Sequence, residues 1–155
     1  MNILITGASR GIGAAALAAL NGNDHAVLGH STRGGGGLIA GDLAEAAAPA
    51  ALWADAVDQL GGRIDVLVNN AGIYEPADLG GSDADWQAAW ARTLAINLQA
   101  AADLSRLAIR HFRERQEGGR IVNVASRAAF RGDSPAHWHY AASKGALVSM
   151  TKTIA

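Results

Sequence analysis

Hydrophobic positions along the chain fall into short β-rich runs that alternate with longer stretches of helical spacing. Ile3-Leu4-Ile5 predicts a buried strand, and Ala14 to Leu20, a string of alanine and leucine, predicts a helix. Ala26 to His30 reads as a second strand and Leu38-Ile39-Ala40 as a short third. Leu43 to Leu60 carries Leu52, Trp53, Val57 and Leu60 as a stripe near helical spacing, and Gly61-Gly62 stops it. Ile64 to Val68 predicts a fourth strand, followed by Asn69-Asn70-Ala71-Gly72. A long helix is expected from Asp85 to Arg115, capped by Ser82 or Asp83. Trp86 and Trp90 share one face of it, where core or subunit packing is favoured over a cofactor contact. Arg120 to Ala125 predicts a fifth strand, closing at Ser126. A loop from Arg127 to His139 then leads to a final helix from Tyr140 to the terminus.

Strand and helix alternate throughout, which argues for an α/β fold with a parallel sheet and helices on its faces. One link breaks the pattern. Between the second and third strands lie only Ser31-Thr32-Arg33 and Gly34 to Gly37, too short for a crossover helix. About seven extended residues span roughly 23 Å, enough to return to the start of a short strand. The glycine run equally suits a flexible loop that orders over a ligand. With 155 residues and no linker or long repeat, the chain reads as one domain over residues 1–155.

Composition narrows the functional classes. Half the residues are hydrophobic and the net charge is -1, which argues against disorder, a nucleic-acid footprint or a membrane-surface patch. The chain has no cysteine, so disulfides, thiolate metal sites and cysteine nucleophiles are excluded together. No apolar run is long enough to span a bilayer. The first twenty residues lack a basic leader and are interrupted by Arg10, so a cytoplasmic domain is the simpler reading.

Candidate chemistry begins at Thr6-Gly7-Ala8-Ser9-Arg10-Gly11-Ile12-Gly13, between the first strand and the first helix. Glycines let the backbone turn tightly, and the helix N-terminus presents free N–H groups and a positive dipole end. A phosphate cradle is favoured there over a tight turn that binds nothing. Tyr140 and Lys144 lie one helical turn apart, and a cation beside a phenol favours the phenolate and brings its proton chemistry toward neutrality. Taken alone, that pair reads better as a tyrosine packed on a lysine stem. Ser126 changes the balance, because a strand end facing the same crevice would let its hydroxyl meet a carbonyl oxygen. No general base of the triad kind accompanies it. His137 and His139 lack a third ligand for a metal, and with Trp138 are expected at the substrate mouth. Arg131 and Asp133 read as surface residues, and Ala128, Phe130 and Trp138 as a partly apolar wall.

Taken in order, Thr6-Gly7-x-x-x-Gly11-x-Gly13, Asp42-Leu43, Asn69-Asn70-Ala71-Gly72, Asn97, Ser126 and Tyr140-x-x-x-Lys144 resemble the classical short-chain dehydrogenase/reductase family over essentially the whole chain. The resemblance implies a Rossmann-like, doubly wound parallel sheet of about five strands in the order 3-2-1-4-5. It also implies a hydride-transfer enzyme acting on a small carbonyl or alcohol substrate with a nicotinamide cofactor. Tyr140 would be the general acid or base. Lys144 would assist it and hold the nicotinamide ribose, Ser126 would polarise the substrate oxygen, and Asn97 would position a relay water. Gly7, Ser9, Arg10, Gly11, Ile12 and Gly13 would line the adenosine and pyrophosphate site. Asp42 and Leu43 would flank the adenine, and Asn70, Ala71 and Gly72 would follow the middle of the cofactor. The helices at 85–115 and 140–155 would build a homo-oligomer.

The second strand ends in His30-Ser31-Thr32-Arg33 rather than in an acidic residue that would bind the 2′-hydroxyl of NAD. Ser31, with Arg33 and Arg10, therefore suits the 2′-phosphate of NADP, unless Arg33 points to solvent. Three departures from the family stand out: the missing crossover helix, a spacing of fourteen rather than thirteen between Ser126 and Tyr140, and the length. Members of the family run to about 250 residues. Their C-terminal strands, and the helices that shape the substrate site, have no counterpart in this sequence. The expected function is accordingly an NADP-dependent oxidoreductase, with a non-catalytic dinucleotide-binding module or an inactive truncated member of the family as the alternative.

Overall fold

Ile3, Leu4 and Ile5 are all buried, with alternate side chains sent to opposite faces of one strand. That strand, β1 (Asn2–Ile5), is the centre of the fold in the computed structural model, which describes every residue except Asn23. The other described strands are β2 (Ala26–Ser31), β3 (Ile39–Ala40), β4 (Val66–Asn69) and β5 (Arg120–Asn123). All pairings are parallel, and the order is β3-β2-β1-β4-β5. Ile3 pairs with Val27 on one side and Val66 on the other, and Val68 pairs with Val122. Burial on both faces explains why these strands read as continuous apolar runs.

Two cores result. Ile3, Ile5, Ala8 and Val66 pack with Leu17 and Leu20 of α1 (Gly11–Asn21). Leu4 and Leu67 face the other way, onto Leu52, Trp53 and Ala56 of α2 (Ala48–Gln59) and Leu104, Ala108 and Phe112 of α4 (Ala100–Arg115). Helices on both faces of a parallel sheet make the doubly wound arrangement.

Several boundaries differ from the sequence reading, each for a local reason. The helix expected from Leu43 begins at Ala48. Asp42 Oδ1 accepts from the Ala44 amide at 3.0 Å, and such an Asx turn competes with helix. Pro49, which lacks an N–H, then occupies the first helical turn, where none is needed. The long helix is α3 (Asp83–Leu94) running through a π-helical turn, Ala95–Gln99, into α4. Ser82 caps α3 by accepting from the Asp85 amide at 3.1 Å. β5 stops at Asn123, although one more ladder bond runs from the Val124 amide to the Asn69 carbonyl at 2.9 Å. The loop expected after it contains the short α5 (Ala128–Arg131), and α6 (Trp138–Ile154) starts two residues early.

The link between β2 and β3 is neither an extended tie nor a helix. Gly34, Gly35, Gly36 and Gly37 all hold positive φ, at 66, 85, 60 and 83°, a run that only glycine sustains. The Ser31 carbonyl accepts from both the Gly34 and Gly41 amides, at 3.3 and 3.1 Å, which closes the turn on itself.

Candidate active site

Both the glycine loop and the strand ends that face it are held by a small set of polar bonds. Thr6, 1% exposed at the end of β1, accepts from the Asn70 and Ala71 amides at 3.1 and 3.0 Å. Asn70 returns the contact, its Nδ2 donating to the Thr6 and Gly7 carbonyls at 2.9 and 3.0 Å. β1 and β4 are thereby stitched together at the point where the strand order reverses, the position where open α/β sheets bind ligands. A Cβ on Gly7 would meet the Ala71 Cα at 2.7 Å, and one on Gly13 would meet the Gly7 carbonyl oxygen at 2.2 Å. Glycine at both positions is therefore dictated by close backbone approach. At the head of α1, Arg10 makes no side-chain cap bond, which leaves the first-turn amides open to an anion.

Above this loop lies a groove of about 320 Å³. Gly7, Ser9, Arg10, Gly11 and Ile12 form one wall; Ser31, Asp42 and Leu43 form another; Asn70, Ala71 and Gly72 form the floor toward β4. Two expected members lie elsewhere. Gly13 is buried behind the loop, where its lack of a side chain makes room for Gly7, and Arg33 is exposed on the glycine turn, outside the lining. Ile73, Arg92 and Ile96 also line the groove. Sequence reasoning misses them because none belongs to a motif: Ile73 follows the Asn70–Gly72 run, and α3 and the π-helical turn bring in Arg92 and Ile96.

Lys144, 5% exposed on α6, reaches back across the sheet end, and its Nζ donates to the Val124 carbonyl at 2.8 Å. The same nitrogen stands 6.0 Å from the centroid of the Tyr140 ring. Burial lowers the Lys144 pKa from the ordinary lysine value. Asn97 is turned inward by the π-helical turn. Its Oδ1 accepts from the Ile73 amide at 2.8 Å, and its Nδ2 donates to the Ile73 carbonyl at 3.0 Å and to Ser143 Oγ at 3.3 Å. Gly72 lies between these two side chains: a Cβ there would come within 3.3 Å of Asn97 Oδ1 and 3.5 Å of Lys144 Nζ. Asn97 and Lys144 thus flank the end of the groove.

Tyr140 and Ser126 line a second, open cleft of about 670 Å³ with Tyr74, Arg127, Arg131, Asp133 and Ser134. Tyr74 meets Tyr140 edge-on at 4.7 Å between centroids and stacks on His137 at 3.9 Å. Its hydroxyl donates to Asp133 Oδ1 at 2.9 Å. Arg131 and Asp133, expected as surface residues, are exposed and line this cleft. The apolar wall expected from Ala128, Phe130 and Trp138 does not form: Ala128 is buried, while Phe130 and Trp138 are 77% and 52% exposed outside the lining. His139 is not at the mouth either, since it is fully buried beside Trp90. Trp86 packs on Trp90 and Trp138, the packing role expected for the tryptophan pair.

A parallel sheet of this order, with a glycine loop at its switch point and the Tyr140–Lys144 turn beside it, defines the dinucleotide-binding class of α/β proteins. Within that class the chain belongs to the short chain dehydrogenase family, whose model matches residues 1–155. It is 34% identical to the short chain dehydrogenase adrF of Penicillium roqueforti, over 99% of this chain and 62% of that protein. It is 35% identical to a 3-oxoacyl-[acyl-carrier-protein] reductase of Synechocystis sp., over 98% of this chain and 66% of that one. Among solved structures, 4-hydroxyisoleucine dehydrogenase complexed with NADH superposes with a TM-score of 0.85 at 29% identity, covering 99% of this chain and 67% of its own. The chain thus spans about two thirds or less of the length of these relatives.

Proposed function

We propose that residues 1–155 form a single dinucleotide-binding domain of an NADP-dependent oxidoreductase that interconverts a carbonyl and an alcohol. The observation that carries the reading is the meeting of three parts at one sheet end. These are the glycine-lined groove with open helix amides, the Asn97–Lys144 pair at its far end, and the cleft containing Tyr140 and Ser126. When bound, a nicotinamide dinucleotide supplies or accepts the hydride.

This chain's own groups do the rest. Gly7, Ser9, Arg10, Gly11 and Ile12 hold the adenosine and pyrophosphate end, with Gly13 making room beneath them. Asp42 and Leu43 flank the base, and Asn70, Ala71 and Gly72 follow the chain of the cofactor. In reduction the Tyr140 phenol hands its proton to the carbonyl oxygen, and Ser126 donates a hydrogen bond to the same atom; oxidation reverses both. The Lys144 ammonium stabilises negative charge developing on the phenol oxygen and faces the ribose. Asn97, through its bonds to Ile73, holds the segment where the relay water is proposed. Arg10 and Ser31 in the groove support NADP, and Arg33 joins them if its turn swings inward on binding. The neighbour holding NADH makes NAD the competing reading. Small-molecule turnover in the cytoplasm, by a homo-oligomer built through residues 85–115 and 140–155, completes the proposal.

The test is a titration of the chain with NADPH and NADH, followed by carbonyl reduction. NADPH binding more tightly than NADH, with turnover lost by at least about a hundredfold in Tyr140→Phe, is the expected result. Binding without turnover would favour the non-catalytic module, and preferential NADH binding would overturn the cofactor assignment.

A further inference from the structure

His30 stands near the end of β2 with 2% of its surface exposed, within the lining of the groove. Its Nδ1 lies 3.3 Å from the Gly7 amide and its Nε2 lies 2.8 Å from the Gly41 carbonyl. An amide N–H only donates and a carbonyl only accepts, so a single form satisfies both: the neutral ring with its proton on Nε2. The backbone adds a third tie, from the Ala8 amide to the His30 carbonyl at 2.7 Å. One residue therefore joins the glycine loop to the segment that leads into Asp42 and Leu43, the two walls of the groove.

We propose that neutral His30 is the positioning residue of the groove: its ring sets the spacing of the two walls, and protonation at Nδ1 releases Gly7 and weakens dinucleotide binding. The proposal rests on the groove being the dinucleotide site. A protonated ring would present N–H to N–H at Gly7, removing a bond and adding a repulsion at a side chain that is 2% exposed. Burial already disfavours the charged ring, opposed by the bond to the Gly41 carbonyl, and the net effect lowers the His30 pKa from 6.5. The charged groups that share the groove lining with it are Arg10 on the glycine loop, Asp42 after β3 and Arg92 on α3.

Calorimetric titration with NAD and, in parallel, NADP from about pH 8.5 to about pH 4.5 covers the ordinary histidine range and extends below it, on the side to which burial moves His30. Both affinities should fall together on acidification, approaching about tenfold per pH unit below the His30 pKa. His30→Gln keeps a donor for Gly41 but cannot take up a proton, and should flatten the profile. A fall for NADP alone would assign the effect to the 2′-phosphate and overturn the proposal. Histidine ring nitrogen spectra of the wild-type chain give a second readout. The Nε2–H form is expected, with a pKa that drops further on saturation with ligand because the linkage is reciprocal. An Nδ1–H form, or a pKa unmoved by ligand, would also overturn it. Failure of both dinucleotides to bind even at about pH 8.5 would instead refute the groove as a dinucleotide site.

Discussion

Thr6 shows how one side chain can organise a site that it does not enter. Its hydroxyl oxygen takes two amides from the far strand end, Asn70 and Ala71, at a position closed to water. Thr6→Val keeps the shape and leaves both amides without a partner, which should cost about 2 kcal/mol in denaturant unfolding. Thr6→Ser keeps the acceptor and should cost well under half of that. Serine and valine behaving alike would show that the methyl group, not the oxygen, matters. His30 and Asn70 also hold the backbone of the glycine loop, Asn70 through Nδ2 and His30 through Nδ1, while His30 Nε2 meets the Gly41 carbonyl. Their value to the loop lies in fixing it before any ligand arrives.

Among the elements, the helix through residues 83–115 carries the clearest division of labour. Its start is a cap: Ser82 Oγ accepts from the Asp85 amide and donates to Asp85 Oδ2 at 2.7 Å. Ser82→Ala should lower stability by about 1 kcal/mol, read as a shift in the urea midpoint with an unchanged slope. A shift of the slope instead would mean that the variant disturbs more than the cap. The middle of the helix widens into the π-helical turn, which buries Asn97 against Ile73 and Ser143. Such turns often occur at functional positions, because the extra residue redirects a side chain that regular spacing would aim elsewhere. Its last turns return to structure, where Arg115 binds the Ile64 carbonyl and Asp65.

Across the whole molecule, Asp65 ties three elements together at the end of the sheet opposite the groove. It accepts from the Asn2 amide at 2.8 Å, from Arg63 at 2.7 Å and from Arg115 at 3.0 Å. Burial alone would raise its pKa; the Asn2 amide, Arg63 and Arg115 outweigh it and lower the pKa from 3.8. A carboxyl with a depressed folded pKa contributes stability that is complete above its unfolded value and lost as pH falls through the folded one. Asp65→Asn should therefore be less stable than wild type by about 1–2 kcal/mol at neutral pH, with the gap closing in acid unfolding curves below pH 3.8. A gap that persists undiminished in acid would assign the loss to packing rather than charge. At the sheet edge, β5 leaves Val122 47% exposed.

The order of strands and helices was legible in the chain because burial on both faces imposes unbroken apolar runs on β1 and β4, and glycine pairs mark the helix ends. The glycine loop was legible too, since the close approach of Gly7 to Ala71 and of Gly13 to Gly7 admits no other residue. The family itself followed from the order of its motifs. Tertiary structure alone decided what periodicity does not encode. It closed the four glycines into a turn, started α2 at Ala48 behind an Asx turn, and turned Asn97 inward through a widened helix. It also brought Arg131 and Asp133 to the Tyr140 cleft and withdrew His139 into the core. The physical reason is common to these cases: an apolar run or a glycine reports a local requirement of the backbone. The direction of a polar side chain depends on partners tens of residues away, which only the packed molecule brings within hydrogen-bond reach.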